Sequence, residues 1–327
     1  MRFSVIIPVY NRPKEIDELL QSLCEQTFTD FEVLVIEDGS EEQCETIVSS
    51  YDNDLKIRYY YKENSGQGFS RNFGFERAHG QYLVVFDSDC TLPPHYFQVV
   101  NSFISRGGVD AWGGPDRAHP SFTTIQKAIS YAMTSPLSTG GIRGSKHSLE
   151  RFYPRSFNMG ISRKVFEDTG GYLITRMGED LEFSIRIVKA GFRTVLLEEA
   201  WVWHKRRINF RSFFRQLHFF GRARIHLLQF HPEQLNALHL LPSIFLIALC
   251  ISGLAYTIDL KFAMLLSTPF FLYWMAIWAD ALWKERNIGV ACLSVVAVTI
   301  QLSAYGAGVI RESVVRMFRK RAFSASG

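Results

Sequence analysis

Short β-rich runs alternate with amphipathic stretches over residues 3–89 of this chain. FSVIIPV (3–9) is a strand signal stopped by the turn Tyr10-Asn11-Arg12-Pro13. In KEIDELLQSLCEQ (14–26), Ile16, Leu19, Leu20 and Leu23 recur at helical spacing. FEVLVIEDGS (31–40) predicts a second strand, and a helix follows over 41–50. KIRYYYKE (56–63) predicts a third strand, NSGQG (64–68) a turn, FSRNFGFERA (69–78) a helix and QYLVVFDSD (81–89) a fourth strand. This order implies a mainly parallel sheet with helices on both faces. In such sheets the ligand crevice lies beyond the carboxyl ends of the strands. Asn11, Glu37-Asp38 and Asp87/Asp89 all fall at those ends.

The pattern loosens after residue 90. GGVDAWGGPD (107–116) predicts a strand with turns, and 121–150 a helix followed by a Gly/Ser-rich mobile loop. RSFNMGISRKVFEDTGGY (155–172) predicts strand, short helix and Gly turn. GEDLEFSIRIVKAG (178–191) predicts a helix whose first-turn acids suit its dipole. FRTVLLEEAWVWH (192–204) predicts one or two strands ending at His204. NFRSFFRQLHFFGRARIHLLQF (209–230) predicts a basic amphipathic helix. Phe210, Phe213, Phe214, Leu217 and Phe220 form its apolar stripe, among Arg211, Arg215, Arg222 and Arg224. Then come three runs without Asp, Glu, Lys or Arg: 234–258, 262–279 and 287–310. A bilayer span needs about 20 mostly apolar residues. The runs predict a C-terminal α-helical membrane region of two or three spans.

Charge supports that division. A net charge of +4 over 327 residues gives no nucleic-acid signal. Trp201 to Phe230, however, holds seven Lys/Arg and no acid. Beside a membrane span, such a helix is expected in the interface, facing anionic lipid. The five cysteines form no C-x-x-C pair, which fits a reducing compartment. No signal peptide is recognisable, so the N-terminal part is expected in the cytoplasm. The expected domains are 1–208, an interface helix at 209–233, membrane helices over 234–310 and a basic tail, 311–327.

Candidate chemistry gathers at the strand ends. On extended backbone, Asp87 and Asp89 would point the same way and share a divalent ion such as Mg²⁺ or Mn²⁺. His204 could add an imidazole ligand. The 64–68 turn could offer amides to an anion, with Arg71 nearby. Glu179 and Asp180 either complement the helix dipole or include a general base.

Together SVIIPVYNRPKEIDELLQSL, FEVLVIEDGS, NSGQGFSRNFGFERAHGQYLVVFDSD, FNMGISRKVFEDTGGY and GEDLEFSIRI resemble family 2 inverting glycosyltransferases of membrane-attached bacterial type. The resemblance covers about residues 3–230. It implies a GT-A (Rossmann-like) fold, Mn²⁺ or Mg²⁺, and a nucleoside-diphosphate sugar of UDP or GDP type as donor. Pro8, Tyr10, Asn11 and Asp38 would hold the nucleoside, and Arg71 and Asn72 would line the donor pocket. Asp87 and Asp89 would be the D-x-D acids, Asp89 the chief metal ligand, with His204 near metal and diphosphate. Asp180 would be the catalytic base, beside Glu179. Gln216, Arg222 and Arg224 would meet diphosphate or acceptor. Glu37 departs from the two aspartates usual in the family, and 215–224 lacks the Q-x-x-R-W of processive synthases. The second departure favours single sugar transfer, and the membrane anchor beside a basic interface helix favours a glycan or lipid-linked acceptor at the cytoplasmic membrane.

Two other readings remain open from the sequence. VVFDSDCTL also resembles the haloacid-dehalogenase-like phosphatase motif, with Asp87 as nucleophile. A non-catalytic nucleotide-sugar-binding membrane protein would share most of these residues. Topology poses its own conflict. Three spans would put Arg311, Arg316, Arg319, Lys320 and Arg321 across the membrane from the head, against the positive-inside rule. The second apolar run, shortest and ending at Asp280, is expected to be re-entrant or interfacial.

Overall fold

The computed structural model describes residues 1–139 and 152–324, with side chains to 318. The Gly/Ser-rich stretch from 140 and the end of the basic tail lie outside the described residues. The described chain forms two compact units, residues 1–119 with 152–205 and residues 120–139 with 206–324.

In the first unit β1 (Phe3–Val9), α1 (Pro13–Cys24), β2 (Phe31–Asp38), α2 (Glu45–Ser49), β3 (Ile57–Lys62), α3 (Gln67–Arg77) and β4 (Tyr82–Phe86) alternate. Then come β5 (Cys90–Thr91), α4 (Tyr96–Ser105), β6 (Ala111–Gly113) and β7 (Asp116–Arg117). The chain passes through α5 (Thr124–Thr134) and α6 (Pro136–Thr139) of the second unit. It returns as β8 (Asn158–Ser162), α7 (Arg163–Thr169), α8 (Glu179–Lys189), β9 (Thr194–Leu196) and β10 (Val202–His204). The main sheet has the order β3-β2-β1-β4-β8-β6-β9. It is parallel except for β8, which runs against β4 and β6. This is the mainly parallel α/β sheet that the alternation implies, with the GT-A-like architecture that the resemblance implies. A second sheet, β5-β10-β7, brings His204 beside Cys90.

Alternation along β1 builds the two cores. Phe3, Val5, Ile7 and Val9 face Ile16, Leu19, Leu20 and Leu23 of α1 and Tyr96, Phe97 and Val100 of α4. Ile6 faces the other layer, with Phe75 of α3 and Phe183 of α8. Each such side chain, fully buried, contributes about 1.5–3 kcal/mol by area removed from water. Val9 pairs with Glu37, and Ile6 with Val85, so the carboxyl ends of β1, β2 and β4 emerge side by side.

The second unit adds α9 (Phe210–Leu227), α10 (Leu241–Ala255), α11 (Leu260–Glu285) and α12 (Ile288–Ser324) to α5 and α6. Ala128, Ile129 and Met133 of α5 share one core with Phe213 and Leu217 of α9, Ile277 of α11 and Ala297 of α12. Residues 120–139, expected within the first domain, pack here because that apolar stripe of α5 needs a partner. α9 buries Phe213, Leu217 and Ile225, and leaves Phe214, Arg211 and Arg215 exposed. Glycines permit close approach: a Cβ at Gly221 would strike the Tyr305 carbonyl, and one at Gly308 the His218 carbonyl.

Among the described residues, three helices are long and apolar enough to cross a membrane, Ala237–Ala255, Leu260–Glu285 and Ile288–Phe318. The second apolar run is therefore not the shortest helix. Asp280 does not end it, because Asp280 pairs with Lys284 at 2.9 Å and accepts the Tyr131 hydroxyl at 2.6 Å. α11 continues to Glu285.

Candidate functional site

The two aspartates of VVFDSDC do not stand on extended backbone. β4 ends at Phe86, and the Cys90 N–H donates to the Asp87 carbonyl at 3.0 Å, closing a turn. The expected shared direction is therefore corrected: each carboxylate has its own cation. Asp87 Oδ1 lies 2.7 Å from the Arg71 guanidinium. Asp89 Oδ2 lies 2.6 Å from that of Arg12, and Asp89 Oδ1 lies 3.2 Å from His204 Nε2.

Local chain geometry fixes those partners. Asn11 takes a left-handed φ of 52°. Its N–H donates to Ser40 Oγ at 2.7 Å, and its Oδ1 accepts the Glu41 N–H at 2.9 Å. That clamp ties the ends of β1 and β2 together and aims Arg12, with Pro13 starting α1 behind it. Tyr10 stays exposed on the same turn and Pro8 is half-buried at the end of β1.

Asp38 is buried, and it organises the turn after β3. It pairs with Lys62 and accepts the Ser65 and Gly66 N–H groups, each at 2.9 Å. The amides of the 64–68 turn thus cradle this carboxylate. Gly66 sits at φ 88°, and a Cβ there would overlap Thr175 Oγ1. Glu37 turns inward, accepting from Ser40 and, at 2.8 Å, from the Cys44 N–H. Its extra methylene over aspartate is used for this internal cap.

Arg71 is fully buried yet stays charged. Burial opposes the charge, but Tyr172, Asp87 and Glu179 hold the proton. Its second branch lies 3.5 Å from Glu179 Oε1, and its guanidinium sits 5.3 Å from the Tyr172 ring centre. Asn72 exchanges two 2.8 Å hydrogen bonds with the Tyr172 backbone, so its amide positions that loop.

At the start of α8 the two acids differ. Glu179 is buried, bonded to Gln67 and near Arg71; burial first, then Asp180, raises its pKa. Asp180 is partly exposed. Its Oδ1 accepts the Leu181 N–H at 2.7 Å, and its Oδ2 lies 3.4 Å from Arg155.

The donor set of a divalent cation is present in part. Asp89 O, Cys90 Sγ and His204 N lie within 4.8 Å of one another. Cys90 is fully buried, donates toward the Phe157 carbonyl at 3.5 Å, and burial pushes its thiol pKa well up. That leaves the Asp89 carboxylate, which suits Mn²⁺ or Mg²⁺, and the His204 imidazole, which suits a transition metal such as Mn²⁺. Burial opposes protonation of His204, but Asp89 and Asp116 outweigh it and its pKa is raised. Among the described residues its Nδ1 makes no hydrogen bond, with Asp116 Oδ2 3.9 Å away, and Phe157 stacks on the ring at 5.1 Å.

Gln216, Arg222 and Arg224 lie on α9 in the second unit, where Arg222 pairs with Glu312 at 2.9 Å. Arg12, Arg155 and Asp116 escaped the reading of the sequence. Arg12 had one physical signal: a cation at a helix N-terminus opposes the dipole and needs another partner.

The chain is 43% identical over 152 residues to the poly(ribitol-phosphate) β-N-acetylglucosaminyltransferase TarS of Staphylococcus aureus (strain Mu50), covering 41% of this chain and 26% of that protein. It is 42% identical over 88 residues to an uncharacterized glycosyltransferase of Rickettsia felis, covering 27% of this chain and 15% of that one. The glycosyltransferase AglE of Haloferax volcanii is 28% identical over 214 residues, 62% of this chain and 67% of its own. This chain therefore matches only a small part of the first two relatives. The fold is shared with the mannosyltransferase PcManGT from Pyrobaculum calidifontis, solved with GDP-Man and Mn²⁺. The TM-score is 0.68 at 19% identity, over 95% of this chain and 86% of that one. These relatives leave no place for a phosphatase that uses Asp87 as nucleophile. The Glycosyl transferase family 2 model matches residues 4–170, more than half of the chain, and the protein belongs to that family of glycosyltransferases.

Proposed function

We propose that the protein moves a single sugar from a UDP- or GDP-type sugar to a hydroxyl of a membrane-associated glycan or lipid-linked acceptor, with inversion. One observation supports the mechanism: of the adjacent acids at the start of α8, Asp180 is the one left partly exposed. Glu179 is buried and tied to Gln67 and Arg71, whereas Asp180 is partly exposed. Asp180 takes the proton of the acceptor hydroxyl as its oxygen attacks the anomeric carbon. The nucleoside diphosphate departs from the opposite face, so configuration inverts. Arg155, 3.4 Å from Asp180, orients the base.

Asp89 and His204 would hold the divalent cation, Mn²⁺ or Mg²⁺, which supplies positive charge to the departing diphosphate. Asp87 reaches the same rim through Arg71, which fixes it. Asn11 and the turn that Asp38 organises shape the nucleoside side of the crevice. The apolar helices favour an acceptor at the membrane, with the sheet unit on the cytoplasmic side.

Asp180→Asn keeps the shape and removes the base. Transfer is expected to fall about 10²–10⁴-fold, with donor affinity within twofold of the parent by calorimetry. Full transfer by this variant would remove Asp180 from the mechanism. NMR of the first-formed product, with inverted anomeric configuration expected, tests the stereochemistry.

A further inference from the structure

We infer that only α10 and α11 cross the bilayer, while α12 stays on the side of the sheet unit and presents its basic end to the anionic lipid surface there. The inference rests on the membrane attachment proposed above. Two helices of the second unit are tethered closely to strands of the first. Residues 118–123 join β7 to α5, and residues 205–209 join β10 to α9. A fully extended chain gains at most ~3.6 Å per residue, so neither connection exceeds about 25 Å. A bilayer's hydrocarbon core alone is ≈ 30 Å thick. The starts of α5 and α9 are therefore on the sheet unit's side.

α12 is fastened to both. Near its start, a Cβ at Gly289 would sit 3.7 Å from the Thr124 methyl. Farther on, Gly221 and Gly308 bring α9 and α12 into backbone contact. Arg222 then pairs with Glu312 at 2.9 Å, and Arg316 donates to the Ile225 carbonyl at 3.3 Å. The two helices run in the same direction. If α12 crossed, α9 would be carried into hydrocarbon with Arg211, Arg215, Arg222 and Arg224, charges that hydrocarbon disfavours.

α10 and α11 differ. Ser252 and Ser267 hydroxyls meet at 2.8 Å, and Phe245 packs edge-on to Phe270, joining the two as a hairpin. α10 opens at Pro242, whose carbonyl a Cβ at Gly306 of α12 would strike. α11 closes beside α5, where Tyr131 meets Asp280. Both open ends of the hairpin thus rest on helices of the sheet unit's side. Only 17% and 11% of their apolar windows are buried, against 39% for α12. Large apolar side chains such as Ile247, Leu254, Leu265 and Phe271 are exposed along the hairpin, as lipid contact requires. Two crossings return the chain to its starting side. Arg311, Arg316 and the basic residues after them then obey the positive-inside rule, on the same side as exposed Arg211 and Arg215. The conflict noted in the sequence is resolved by the third apolar run rather than the second.

The test is impermeant-maleimide labelling of the full chain in sealed native membrane vesicles of both orientations. Exposed Cys24 marks the sheet unit. With Cys250→Ser and Cys292→Ser as background, and Cys24→Ser added for the two probes, Thr257→Cys reports the hairpin tip and Ser313→Cys the C-terminal half of α12. Ser313→Cys is expected to label in the same orientation as Cys24, and Thr257→Cys only in the opposite one. Labelling of Ser313→Cys together with Thr257→Cys means three crossings and overturns the inference. Labelling of all three sites from one side means no crossing and overturns it too. Protease protection of a C-terminal tag on the parent gives the same readout if a variant fails to accumulate. Recovery of the parent in the soluble fraction would overturn the attachment itself along with this topology.

Discussion

Asp89, the acid best placed for a cation, already holds one. The Arg12 guanidinium lies 2.6 Å from its Oδ2, with side-chain exposures of 33% for Arg12 and 15% for Asp89. A divalent ion that binds Asp89 must displace this partner, so Arg12 and metal compete. A partly solvated pair of this kind is worth at most about 1 kcal/mol after screening, and 1 kcal/mol corresponds to about fivefold in affinity. Arg12→Met keeps the stem length and removes the charge. It is expected to tighten Mn²⁺ binding by about two- to fivefold, measured without nucleotide by the EPR signal of free Mn²⁺. Arg12→Lys should lie between Met and the parent, and Asp89→Asn should lose the site. Unchanged or weaker Mn²⁺ binding in a folded Arg12→Met protein would refute the competition. Failure of the parent to bind Mn²⁺ would instead refute the metal assignment to Asp89 and His204.

Two further predictions concern stability. Arg71→Met leaves Asp87 and buried Glu179 without their shared cation, and a loss of about 3–5 kcal/mol is expected by denaturant titration. That loss should shrink as pH falls and Glu179 becomes protonated; a pH-independent loss would point to packing alone. Glu32 is buried, which alone would raise its pKa, but Ser4, the His79 N–H and Arg58 outweigh burial and hold it below its usual value. A depressed carboxylate pKa stabilises the fold above the unfolded-state value of about 4.3, and that stability is lost as pH falls through the folded-state value. Glu32→Gln should therefore flatten the acid limb of the melting temperature between about pH 5 and 3; an unchanged acid limb would remove Glu32 as its source.

What was legible in the sequence was what short-range pattern controls. FSVIIPV occupies β1 residue for residue, because alternate side chains feed two cores and Tyr10-Asn11 must turn. Asn11 after β1 and the acids at the carboxyl ends of β2 and β4 could be placed on one rim because parallel register follows from the βαβ order. α4 had no such signal. Tyr96, Phe97, Val99, Val100 and Phe103 favour strands by intrinsic propensity, and burial of Tyr96, Phe97, Val100 and Ile104 against the sheet decides for helix. Nor could local pattern show that α5, inserted between β7 and β8, packs with the C-terminal helices. Its partners lie far along the chain, from Phe213 of α9 to Asp280 of α11, which Tyr131 meets.

The same limit explains the aspartate pair. Read as extended backbone, Asp87 and Asp89 seemed to need one ion between them. In the fold a turn separates them, and the repulsion is met by Arg71, Arg12 and His204, from three distant parts of the chain. Arg71 is buried and locked by two acids and a ring, so the charge on Asp87 is settled permanently. Arg12 is partly solvated and held by one acid, so the charge on Asp89 is settled provisionally. A crevice that admits a cation with its substrate, as proposed, would need one acid of each kind. The locked one keeps the rim rigid, and the other exchanges partners at little cost, because the guanidinium it releases returns to water.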